Sequence, residues 1–163
     1  MVEKTREQWS IHEAGRAIVA CALGRPFEQA SILPDLSGIN AVSFEPEDGS
    51  AQQLKQAILV GLAGAAAETM HTTHGPLAIE MLTEDYGIVV SYVDALFEQS
   101  QGQELPGARD LLVLSLWEQV LKLLNTHWGS VALLSDLLLD LGTVSWIEVN
   151  ELYEHTTRWH ARS

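Results

Sequence analysis

The chain has 163 residues, 47% of them hydrophobic, and 9 basic against 22 acidic side chains give it a formal charge of −13. That length suits one domain over residues 1–163, able to bury a core without disulfides or a structural metal, while the charge repels phosphate backbones and anionic lipid and so excludes nucleic acid and membrane surfaces as partners. The one cysteine, Cys21, builds no intrachain disulfide, and no apolar run follows the charged start Glu3, Lys4, Arg6 and Glu7, so a reducing, cytoplasmic setting is expected.

From Arg6 to about Leu23, the residues Trp9, Ala17, Ile18, Cys21 and Ala22 recur at helical spacing, and Gly24-Arg25-Pro26 stops the run. This first helix carries His12-Glu13-Ala14-Gly15-Arg16. Phe27 to Leu33 and Ile39 to Phe44 are short, partly β-branched and flanked by Pro34, Gly38 and Pro46, which predicts two strands of a hairpin or small sheet. After the acidic turn Glu45-Pro46-Glu47-Asp48-Gly49-Ser50, Ser50 serves as N-cap for a helix over about Ala51 to Met70, whose Ala/Gly-rich second half permits close packing. The longest apolar stretch, Ala57 to Ala67, is broken by Gly61 and Gly64 and falls far short of the roughly 20 residues that span a bilayer.

His71-Thr72-Thr73-His74-Gly75-Pro76 breaks the chain, and a further helical region runs from about Leu77 to Gln99. A restart is expected near Thr83, because Thr83-Glu84-Asp85 reads as a cap with acids in its first turn. A polar linker, Ser100 to Pro106, follows. Leu111, Leu112, Leu114, Leu116, Trp117, Val120, Leu121 and Leu124 then describe one helix, and Val131, Leu133, Leu134, Leu137, Leu138 and Leu141 another. Gly142 separates these from a last helix starting near Ser145. Trp117, Trp128, Trp146 and Trp159 are expected to fill the C-terminal core or an interface, and the leucine density is compatible with a homo-oligomer. No GxxxxGK[ST] loop occurs, so nucleotide binding by that route is excluded. The expected fold is mainly α, about six helices with a small β hairpin or sheet after the first.

In an HExxH helix, two histidines one turn apart aim at a single Zn²⁺, and the glutamate after the first polarises the metal-bound water. His12 and Glu13 are present. Arg16 stands where the second imidazole belongs, and its guanidinium is always protonated and has no lone pair for a metal.

His12-Glu13-Ala14-Gly15 with Ala17-Ile18-Val19-Ala20, Ala30-Ser31-Ile32-Leu33-Pro34, Phe44-Glu45-Pro46-Glu47-Asp48 and Gly61-Leu62-Ala63-Gly64-Ala65-Ala66-Ala67-Glu68 follow one another in order. Together with Thr83-Glu84-Asp85 and the closing Leu123-Leu124-Asn125 and Leu133 to Leu139 segments, they resemble the peptidase domain of FtsH-type ATP-dependent zinc metalloproteases over about Glu7 to Tyr153. The resemblance implies a zinc site of His12, the residue at 16 and Asp85, with Glu13 as general base. It departs at Arg16, at Ala65 where the family has arginine, and in the ATPase module and membrane anchor that precede the domain in the family.

Two ligands hold zinc poorly, and a fixed cation one turn away repels it. The expected outcome is a metal-free pocket without a cofactor, in which Arg16 neutralises Glu13 and Asp85 through bidentate hydrogen bonds, His12, Glu13 and Asp85 being vestiges. His71 and His74, three apart, are substitute zinc ligands in the alternative and a solvated turn in the favoured reading. Glu68 is either a partner of the old metal site or the polar end of a core helix, and both stay open. The function expected is a non-hydrolytic peptidase homologue that binds a peptide or protein partner or serves assembly, docking a segment by strand addition near Ser31 to Phe44. The alternative is an active zinc metalloendopeptidase using His12, Asp85 and His71 or His74.

Overall fold

The computed structural model describes residues 4–33, 49–72, 86–99 and 108–161, in which the elements run α1 (Arg6–Ala22), β1 (Gln29–Ser31), α2 (Ala51–Thr72), α3 (Tyr86–Gln99), α4 (Ala108–Thr126), α5 (Trp128–Leu141), β2 (Thr143–Ser145) and α6 (Trp146–Ala161). The architecture is mainly helical with a small two-stranded antiparallel sheet, as the sequence predicts. Thr5 opens α1 with a capping box: its side chain accepts from the Gln8 N–H, and the Gln8 side chain returns the bond to the Thr5 N–H. Ser50 caps α2 by accepting from the Gln53 N–H at 3.3 Å.

Every residue of α1 from Ser10 to Cys21 is buried. A helix enclosed on all sides needs small residues wherever a neighbour comes close, and Ala14, Gly15, Ala17 and Ala20 supply them. A Cβ on Gly15 would come within 2.5 Å of the Ala67 methyl and 2.9 Å of the Ala63 carbonyl oxygen, so α1 and α2 lie backbone to backbone. On its other side α1 is pinned to α5. Ser10 and Ser135 share a hydrogen bond of 2.8 Å between buried hydroxyls, and the Arg6 guanidinium donates to the Leu139 carbonyl at 2.9 Å. Ile18, Ile58, Leu62, Val120, Leu124, Val131, Leu134 and Leu138 are buried in the core between them, each contributing about 1.5–3 kcal/mol by leaving water.

Among the described residues, the strand after α1 pairs with a second strand that the sequence pattern does not predict. Gln29, Ala30 and Ser31 pair with Ser145, Val144 and Thr143, a strand lying between α5 and α6. Ala30 and Val144 are buried, the Ser31 and Thr143 hydroxyls meet at 3.0 Å, and the Phe27 and Trp146 rings pack edge to face at 5.0 Å. Gly142, at φ +80°, turns the chain from α5 into β2 in a conformation that side chains with a Cβ disfavour. The predicted partner strand Ile39 to Phe44 lies outside the described residues, as does the stretch from Leu77 to Asp85 expected to begin the next helix. Trp117 joins the core and Trp146 packs on Phe27, but Trp159 is 70% exposed and so fills no core. Among the described residues no helix is long and apolar enough to cross a membrane.

Candidate functional site

Helix periodicity places His12, Glu13 and Arg16 on neighbouring turns of α1, and all three are buried, at 6%, 3% and 9% exposure. His12 lies against α2 at Gly64, where any Cβ would run into the imidazole ring. One turn further along α2, Glu68 receives it: His12 Nδ1 is 2.6 Å from Glu68 Oε1. That short contact assigns the Nδ1 proton to the bond with the carboxylate, which in the neutral ring leaves the lone pair on Nε2.

A lysine completes the cluster. Lys4, just before the cap of α1, folds back so that its Nζ lies 2.7 Å from Glu68 Oε1 and 3.2 Å from His12 Nδ1. The same ammonium stands 4.6 Å from the centre of the Trp9 ring, and Trp9 meets His12 edge-on at 5.6 Å. Burial alone would push the Glu68 carboxyl upward, but hydrogen bonds and positive charge from His12 and Lys4 outweigh it and hold the group below its ordinary value. A lowered carboxyl stabilises the fold above its unfolded value of 4.5, and this contribution drains away as pH falls through the folded value. Glu68→Gln should therefore cost about 1.5–3 kcal/mol at pH 7 and flatten the acid side of the stability profile, as urea titrations at pH 7 and pH 3 would measure.

Arg16 approaches the other carboxylate. Its NH1 lies 3.7 Å from Glu13 Oε1, with both side chains nearly enclosed. This is an ion pair across one helical turn, without the two-pronged hydrogen bonding expected toward Glu13, and Glu13 Oε2 has no hydrogen-bond partner among the described residues. Two charged groups thus flank the same stretch of α1: Lys4 and Glu68 with the His12 imidazole, and Arg16 with Glu13.

Of the residues singled out by sequence, the structure brings together His12 with Glu68 and Glu13 with Arg16. Asp85 and His74 lie outside the described residues. His71 is exposed at the end of α2, lining a cleft of about 260 Å³ with Glu7, Ser10, Trp128 and Asp136, whose walls do not include His12 or Glu13. Among the described residues, no group of three His, Cys, Asp or Glu side chains converges as a metal site. His12 has the Lys4 ammonium 3.2 Å from its Nδ1, and Arg16, which offers a metal no lone pair, stands one turn further along α1 beside Glu13. Cys21 is no nucleophile: burial, reinforced by the Glu154 charge, pushes its thiol up to about 12.

Sequence reasoning missed Lys4 and Trp9. The spacing Trp9 to His12, three residues on one helix, was a usable signal, but Lys4 precedes the helix and no periodicity governs it. Against known proteins, no family model matches the chain and no curated protein is significantly similar to it.

Proposed function

We propose that the chain is a non-hydrolytic relative of the FtsH-type zinc peptidases, in which internal ion pairs replace the metal and the surrounding surface holds a peptide or protein partner. The observation that carries this reading is Arg16, a buried guanidinium one turn after His12 and paired with Glu13. A site holding Zn²⁺ could not tolerate that charge at that distance without a large Coulomb penalty. Glu13, the residue that would polarise a metal-bound water, instead balances the arginine. The lone buried cysteine suits a cytoplasmic setting.

A second reading has one observation in its favour. A metal-binding histidine usually donates its other ring N–H to a carboxylate, and His12 has Glu68 in that position. Under this reading the chain is a working zinc peptidase that completes its ligand set from residues such as Asp85 or His74.

Arg16→His separates the two. The unmodified protein, purified without added metal, should contain essentially no zinc and show no chelator-sensitive peptide cleavage, while the histidine variant should take up about one zinc per chain. Near-stoichiometric zinc in the unmodified protein, with cleavage that a chelator stops, would establish the second reading instead.

A further inference from the structure

The contacts of Lys4 describe a receptor as much as a salt bridge. The walls of its site belong to the helical frame: Trp9 and His12 on α1, Glu68 on α2, with His12 fixed against the α2 backbone at Gly64. The occupant does not belong to that frame. Lys4 lies ahead of the cap residue Thr5, outside the helix, and its side chain keeps 25% of its surface in water. An ammonium is thus seated on a buried-edge carboxylate under an indole face and is tethered by a short stretch of backbone.

We infer that this box is a recognition site for a primary ammonium group of a bound peptide, and that Lys4 is its resident competitor, displaced when the peptide arrives. The inference rests on the peptide-binding reading above and gives it a ligand chemistry. The box selects for that chemistry. Glu68 offers the cation one oxygen, Oε1, which suits the point charge of an ammonium better than the planar fork of a guanidinium. A quaternary ammonium would keep the attraction of the Trp9 face but has no N–H to give Glu68. The chain's charge of −13 favours a cationic partner throughout its approach.

The tether makes the idea testable, because an intramolecular ammonium competes at an effective concentration in the millimolar range. Lys4→Ala and Lys4→Met remove the competitor, the second keeping most of the alkyl stem. In calorimetric titrations, n-butylammonium should bind both variants at least about tenfold more tightly than it binds the unmodified protein. Guanidinium and tetramethylammonium should bind distinctly more weakly, and Glu68→Gln added to Lys4→Ala should abolish binding. A lysine-free peptide with a free N-terminus and an N-acetylated peptide with a single lysine then tell an α-ammonium from a side-chain source.

The unmodified protein supplies an independent readout. With its three lysines labelled with ¹⁵N, the Lys4 ammonium resonance should move toward those of the exposed Lys55 and Lys122 as n-butylammonium is added. Equal affinity of folded variants and unmodified protein, or a Lys4 resonance that stays in place at saturating amine, overturns the inference. If neither variant folds, the resonance alone decides. None of these measurements involves metal, so a failure of the zinc experiment and a failure here are separate results.

Discussion

Replacing Arg16 by methionine should cost about 3–5 kcal/mol, a loss measurable by urea unfolding at pH 7. The cause is the carboxylate left behind. Glu13 is 3% exposed, and without the guanidinium it would remain a buried charge stripped of the cation it pairs with. The pair itself is a weak source of net stability, because enclosing two charges consumes most of what their attraction returns. A double replacement, Glu13→Leu with Arg16→Met, should therefore recover most of the loss, so that the two single effects are strongly non-additive. A loss below about 1 kcal/mol for Arg16→Met alone would mean that the arginine is not what holds the pocket.

Truncating Ile18 to alanine should be comparably severe, about 2–5 kcal/mol, for a different reason. Ile18 is fully buried on α1, the helix that packs against both α2 and α5, so the cavity opens inside the shared core. For a chain of this size the thermal midpoint should fall on the order of 10 °C, which circular dichroism would register. Trp159→Ala is the control: at 70% exposure its removal should stay within about 0.5 kcal/mol.

Much of the helical frame was legible in the sequence. Apolar spacing and the stops at Gly24-Arg25-Pro26 and Gly142 locate α1 and α5 within a residue or two, and Ser50 starts α2 where it was expected. The sheet was legible only in part. A strand of three residues is too short to show alternation, and its partner lies 112 residues away at the Ser31–Thr143 contact, beyond any local pattern. The site divides the same way. His12, Glu13 and Arg16 follow from one helix and its 3.6-residue repeat, whereas the junction of His12 with Glu68 depends on how closely two helices approach. That approach is set by Gly15 and Gly64, which carry no pattern beyond being small. Lys4 lies ahead of the cap, where side-chain spacing encodes no position.

The enclosure of α1 also bears on how such a chain could change over evolutionary time. With Glu13 and Arg16 enclosed as one pair on α1, a lone change of sign at either position strands its counterpart away from water. Tolerated routes would pass through compensated pairs, which makes these two positions strongly epistatic.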